Sequence, residues 1–191
     1  ILARTGYYQS GGAYGFRDQL QDGLGIKYID SSFLKEQILN CSRHQFLEGD
    51  VLHWWHIETK RGIRTRFSDD ILWLVYGVLE YVETTNQYEI LDEKVPYLKG
   101  ELLKEDELEK YDIYYESDVK ESIFEHCIRS IELVIAKGID PFPKIGIGDW
   151  NDGFSNLGAK GQGQSVWLGF FLYDVLNRFI PICEQKDRQD L

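Results

Sequence analysis

Three long apolar stripes of helical period, set apart by polar connections much longer than a turn, constrain this chain more than any other feature. Ser68-Asp69-Asp70 opens the strongest stripe, running to about Thr84. Ser68 suits an N-cap, and the two acids suit the positive end of the helix dipole. Ile71, Leu72, Leu74, Val75, Val78, Leu79 and Val82 leave this helix apolar over most of its circumference, so deep burial is expected. A second stripe (Ile123, Cys127, Ile128, Ile131, Val134, Ile135) predicts a helix from a Ser117 cap to about Lys137, with Gly138 closing it. A third begins at Ser165 and is expected to stop near Phe179, before Pro181. Shorter helices are predicted from about Phe16 and from Ser31/Ser32 to about Phe46.

Apart from these helices, residues 1–30 are rich in Gly and Tyr and irregular over Ser10–Gly15, a long connection runs from Gly49 to Phe67, residues 85–120 are less regular with an acidic segment from Glu101 to Glu109, and a later segment holds Gly148–Gly153 and Gly158–Gly163. A connection as long as 49–67 inside a compact domain is more often functional than idle. No alternating strand pattern competes with the helices. The expected fold is therefore all-α: helix pairs with their long loops gathered at one end, as in an α/α toroid, with the chemistry on the loops.

With 191 residues, one domain is expected. The net charge of −11 argues against nucleic-acid partners, which need basic patches to displace counterions, and against anionic membrane surfaces. No apolar run approaches the ~18 residues of a membrane span. Cys41, Cys127 and Cys183 are widely spaced and odd in number, which predicts buried free thiols in a reducing compartment, the cytoplasm. The chain lacks Met and opens on Ile1-Leu2-Ala3-Arg4 without a signal-peptide layout, so it reads as a piece of a longer polypeptide.

Gly148-Asp149-Trp150-Asn151-Asp152-Gly153 places two acids and an indole on one short turn-rich segment. Such residues favour turns for local hydrogen-bonding reasons. The same grouping suits carbohydrate cleavage: the indole gives a flat face for a pyranose ring, and a carboxyl group beside it can protonate a glycosidic oxygen. His53 and His56 have HxxH spacing without a Glu motif or third ligand, so no metal site is expected. The Asp149 loop departs from a calcium loop in its glycine position and terminal Glu. The 158–163 glycines lack the Lys-Ser/Thr of a phosphate-cradling loop.

Five stretches, in order, carry a family resemblance: Tyr8 to Asp22 (YQSGGAYGFRDQLQD), Asp50 to His56 (DVLHWWH), Gly62 to Asp70 (GIRTRFSDD), Gly148 to Gly153, and Ser165 to Gly169 (SVWLG). The chain resembles the inverting cellobiose/chitobiose phosphorylase family, which is glycoside hydrolase family 94-like. Within it, the first stretch is most similar to the branch acting on β-1,2-oligoglucans, which includes the phosphorylase-like domain of cyclic β-1,2-glucan synthases. The resemblance implies part of an (α/α)6 barrel, covered by a single partial catalytic domain over residues 1–191. It implies reversible phosphorolysis of a β-linked glucan to α-glucose 1-phosphate, with phosphate as co-substrate and no other cofactor. Homodimerisation would come through the full-length protein.

Residue by residue, the resemblance makes Asp152 the general acid, Arg17 and Asp18 the holders of donor-sugar hydroxyls, and Trp150 the surface beneath the donor ring. An inverting hydrolase would need a second carboxylate as base; a phosphorylase needs only the acid, because phosphate is already a nucleophile. Asp149 is either a neighbouring carboxylate or the fixer of its own turn. Trp54 and Trp55 either line a sugar subsite or pack, and Arg64 and Arg66 either face phosphate or acceptor or serve as scaffold. Cellobiose and chitobiose phosphorylases carry a further Arg shortly before the Arg-Asp pair, where this chain has Gly11-Gly12-Ala13. That departure favours the β-1,2-glucan branch. Gln164 stands where many members have Glu. The other readings are an inverting hydrolase and a noncatalytic glucan-binding or chain-length-control module of a synthase.

Overall fold

The computed structural model describes residues 12–152, 154–158, 160–188 and 190. The opening segment 1–11, including Tyr8 to Gly11 of the first motif, and Gly153 of the turn motif lie outside the described residues.

The core is built on one helix. Helix α3 (Asp70–Thr85) buries residues around its whole circumference, from Ile71 to Val82, and packs against α1 (Phe16–Ile26), α2 (Ser32–Ser42), α4 (Ile123–Ala136) and α6 (Val166–Gln185). Gly77 lets α1 come close: a Cβ there would stand 3.1 Å from Leu20 Cδ2. Asn86 ends α3 in the left-handed region at φ 57°, its N–H donating to the Val82 carbonyl. A short helix, α5 (Ser155–Gly158), precedes α6.

The expectation of an all-α, (α/α)6-type fold is overturned. The structure is mixed α/β, with two antiparallel sheets among the described residues. The larger has the order β1 (Tyr14–Gly15), β2 (Leu52–His56), β3 (Arg61–Thr65), β5 (Glu109–Ile113). The smaller pairs β4 (Lys94–Lys99) with β6 (Tyr115–Ser122). The 49–67 connection is thus largely a hairpin, with Trp54 opposite Ile63 and Trp55 opposite Gly62. It escapes a period-2 reading because β2 carries aromatics on both faces and is irregular between Leu52 and Trp54. Strand β6 reads YESDVKES because most of it faces solvent, and Pro96 of β4 sits at a register irregularity in a sheet where each strand is an edge.

Two helix boundaries move for the same reason. Residues 117–122 belong to β6, so α4 is capped by Ser122, whose Oγ accepts from the Glu125 N–H, and not by Ser117. Helix α6 runs through Pro181 to Gln185. Its packing, through Leu168, Leu172, Val175, Phe179 and Ile182, outweighs the backbone hydrogen bond that proline removes. By length and composition α6 is apolar enough to cross a membrane, unlike the sequence expectation, yet this inner stripe is buried against the core. The three cysteines are free and buried.

Candidate active site

Backbone pairing delivers three segments to one place. Strand β1 pairs with β2 (Tyr14 with Trp55, Gly15 with Trp54) and runs directly into α1, so Arg17 in the first turn of α1 lies beside the start of β2. The chain after β3 continues at 66–68 against residues 146–148. The Ile147 N–H donates to the Arg66 carbonyl at 3.2 Å, and the Ser68 N–H and Oγ both donate to the Gly148 carbonyl, at 3.1 and 3.2 Å. This pairing requires two glycines. Gly146 has φ +63°, and a side chain on it would strike the Arg66 carbonyl; a Cβ on Gly148 would stand 2.5 Å from the Phe67 ring.

Beyond Gly148 the turn presents alternate acids in opposite directions. Asp149 is 3% exposed. Its Oδ1 accepts from the Asn151 N–H and Nδ2 at 2.9 and 3.2 Å, and its Oδ2 accepts from Ser165 Oγ at 2.5 Å. The same Ser165 hydroxyl accepts from the Leu168 N–H, so one serine caps α6 and anchors the turn. Trp150 is 50% exposed, and the Asp152 side chain 59%.

Asp152 is met by Arg17, 135 positions away in the chain, whose NH2 donates to both carboxylate oxygens at 2.9 and 3.1 Å. The other terminal nitrogen, NH1, donates to Asp69 Oδ2 at 3.0 Å, and the Trp73 indole donates to that same oxygen at 3.0 Å. Next to Asp69, Asp70 Oδ2 accepts from His53 Nδ1 at 2.6 Å, and the imidazole stacks on Phe67 with centroids 4.3 Å apart. Asp69 and Asp70 are 0% and 2% exposed, and the Oδ1 atom of each is buried without a hydrogen-bond partner among the described residues. Two adjacent buried acceptors of this kind are costly and need a reason.

Electrostatics follow from this crowding. Burial, and then the neighbouring Asp70 charge, push Asp69 up to about 6 against the pull of Arg17. Burial alone would lower Arg17 and His53; the charges of Asp69 and Asp70 outweigh it at Arg17, and Asp70 does so at His53, so both groups are shifted above their ordinary values.

The sequence-predicted residues divide in two. Arg17 and Asp152 come together, Trp150 is half-exposed two positions before Asp152 on the same turn, and Asp18 lies over Gly15 at the start of α1. Asp149 is turned into its own loop. Trp55 is 2% exposed, stacked on His44 at 3.7 Å, while Trp54 is half-buried on the other face of β2 against Tyr111. Arg64 is 1% exposed: it grips Asp50 through Nε and NH2, each at 2.6 Å, reaches Glu48 at 3.0 Å and lies over the Phe46 ring. Arg66 donates to the backbone carbonyls of Leu103, Lys104 and Glu107. Neither guanidinium is directed at Asp152. Sequence reasoning missed Asp69, Asp70, His53 and Trp73 as members of this cluster. Their signal was an acid pair at a helix start following a histidine-aromatic strand, and the dipole rule gave that pair a sufficient local explanation. Among the described residues no three metal-ligating side chains gather. Cavities of about 540 Å³ (beside Trp55 and Arg43) and 570 Å³ (between α4 and α6) lie away from the Arg17–Asp152 pair.

An acid held by a guanidinium fork thus stands on the same short turn as an exposed indole. The chain belongs to the glycosyl hydrolase 94 superfamily, catalytic domain, whose family model matches residues 1–190. It is 44% identical over 193 aligned residues to the cyclic beta-(1,2)-glucan synthase NdvB of Rhizobium meliloti (strain 1021), covering 98% of this chain and 7% of that protein. It is 29% identical over 182 residues to the solabiose phosphorylase of Paenibacillus borealis (92% of this chain, 20% of that protein). With the 1,2-beta-oligoglucan phosphorylase of Listeria innocua serovar 6a the figure is 26% over 188 residues (93% and 16%). The chain thus spans at most a fifth of these relatives' lengths.

Proposed function

We propose that this chain is catalytic-domain sequence of a glycoside phosphorylase that moves a glucosyl unit between a β-1,2-linked oligoglucan and inorganic phosphate. Asp152 donates its proton to the glycosidic oxygen as the C1–O bond breaks. A phosphate oxygen forms the new bond at C1 from the opposite face, giving α-glucose 1-phosphate with inversion. Arg17 and Asp18 orient the donor hydroxyls, one as a fixed fork of donors and the other as an acceptor. Trp150 offers its exposed face to the ring. No cofactor beyond phosphate as co-substrate is required, and the free thiols suit a cytoplasmic setting.

The observation that carries this reading is the Arg17–Asp152 contact beside an exposed Trp150. In the free protein the fork holds Asp152 as an acceptor. Donor hydroxyls that take over NH2 would release the carboxyl group toward the bond to be cleaved. The experiment is a phosphate-dependence assay on the natural full-length protein, with Asp152→Asn as control. Release of α-glucose 1-phosphate that collapses in the variant supports the proposal. Sugar release without phosphate would replace it with a hydrolase, and undiminished activity in the variant would remove Asp152 from the mechanism.

The 44% identity to a glucan synthase favours a second reading, a glucan-binding or chain-length-control module within a larger enzyme. Oligoglucan binding by the full-length protein without phosphate-dependent turnover would select it.

A further inference from the structure

Resting on the phosphorylase reading, we propose that Asp69 is a positioning residue for the general acid. From the buried side it fixes Arg17 and shares the guanidinium charge, so that Asp152, on the open side, can carry the proton that cleavage needs. A carboxyl group gripped through both oxygens by an undivided Arg charge stays ionised, which is the wrong state for an acid catalyst. Here the charge is divided: NH1 serves Asp69 and NH2 serves Asp152, at 3.0 and 2.9 Å. Asp69 is held in place by Trp73, whose indole donates to the oxygen that Arg17 uses.

The charge count points the same way. The groups facing one another are Arg17 from α1, His53 from β2, Asp69 and Asp70 from the start of α3, and Asp152 from the turn. Asp149 is turned away onto Ser165. Three carboxylates share one guanidinium and one imidazole. Of the three, Asp152 is the exposed one, whereas the other two are enclosed. Behind Arg17, the Oδ1 atoms of Asp69 and Asp70 are buried without a hydrogen-bond partner among the described residues. Asp69 makes no side-chain cap hydrogen bond to α3.

The test is the pH profile of kcat/KM for phosphorolysis by the natural full-length protein, compared with Asp69→Asn. Asparagine keeps an oxygen for both Arg17 and Trp73 and removes only the charge. Two carboxylates on one guanidinium are roughly 6–7 Å apart, and a charge at that range in a partly solvated site is worth on the order of one pH unit. The expected result is an alkaline limb moved about one unit toward acid, hence about tenfold lower kcat/KM on that limb, with the acid-side plateau within about threefold of wild type. Asp69→Glu, which restores the charge, should return the limb toward its original place. A loss equal at every pH, or an unmoved limb, would make Asp69 merely structural and overturn the inference. If Asp69→Asn lacks a cooperative melt, Asp69→Ser makes the same comparison with a smaller neutral acceptor. Absence of phosphate-dependent turnover in the wild type would instead defeat the phosphorylase reading, so the two failures are told apart.

Discussion

Replacing Arg17 by Met should change how the stability of this protein depends on pH, beyond lowering it. Met keeps the length and apolar stem of the side chain, so packing in α1 is largely retained while the charge is lost. Asp69 then stands fully buried beside Asp70 without its cation. Its folded-state value, about 6 in the wild type, is already above the unfolded carboxylate value of about 3.9. A group raised in this way contributes its full stability below about pH 4 and loses it as pH rises through the folded value. In the wild type that loss is mostly complete just above pH 6, because Asp69 then ionises in both states. Arg17 is one of the groups holding Asp69 down, so the variant's folded value lies higher. Above pH 6 the folded variant keeps a proton that the unfolded chain has released, and stability falls by about 1.4 kcal/mol per pH unit. His53 adds a slope of the same sign, since Arg17 also lowers it. Urea denaturation of both proteins from pH 5 to pH 8 should give roughly parallel curves up to about pH 6. Beyond that the variant should fall progressively further behind, by at most ~1.4 kcal/mol for each pH unit. A constant offset across the range would show that Asp69 does not depend on Arg17 for its charge, and the electrostatic account of this cluster would be wrong.

Ser165→Ala removes the α6 cap, worth about 1 kcal/mol, and strands a buried carboxylate oxygen of Asp149, worth about 1.5–3 kcal/mol. A loss of roughly 3 kcal/mol by urea denaturation is expected, with Ser165→Thr close to wild type. Gly148→Ala forces a methyl group against Phe67, so a cost of about 1–3 kcal/mol should come with a fall in phosphorolysis, because the turn carrying Asp152 must shift. Trp150→Ala should leave stability within about 1 kcal/mol and raise KM for the oligoglucan about tenfold in steady-state assays, since the half-exposed indole supports little of the fold. Arg64→Met should cost about 3–5 kcal/mol by leaving Asp50 without its partner; a change in KM for phosphate with stability intact would refute its scaffold placement.

The helices were legible where one face of a segment decides its fate. The apolar circumference of 71–82 fixes a central helix whatever surrounds it, and Gly138, at φ +97°, closes α4 as expected. The strands were not legible, because their residue types answer to partners distant in sequence. Arg64 in β3 reads as a solvent-facing cation until Asp50 and Phe46 enclose it. Strand β6 reads as a capped helix start until Val95 and Leu98 supply its pairing edge. Pro181 reads as a stop only if the helix must stand on its own backbone hydrogen bonds; with Phe179 and Ile182 packed on either side, it does not.

The site divides along the same line. Asp152 and Trp150 could be picked out because exposed chemistry on a turn lacks a complete structural reason, and Arg17 came from the family motif. Asp69 and Asp70 could not, because a helix dipole suffices to explain two acids at a helix start. The geometry weakens that explanation: Asp69 makes no cap hydrogen bond, each acid leaves a buried Oδ1 without a partner among the described residues, and the other two oxygens accept from Arg17 and His53. Two unpartnered buried oxygens cost about 1–3 kcal/mol each, more than the 0.3–1 kcal/mol a dipole contact returns at each acid. The placement is therefore costly as helix stabilisation, and the compensation proposed above is what the negative charge does to Arg17 and, through it, to Asp152.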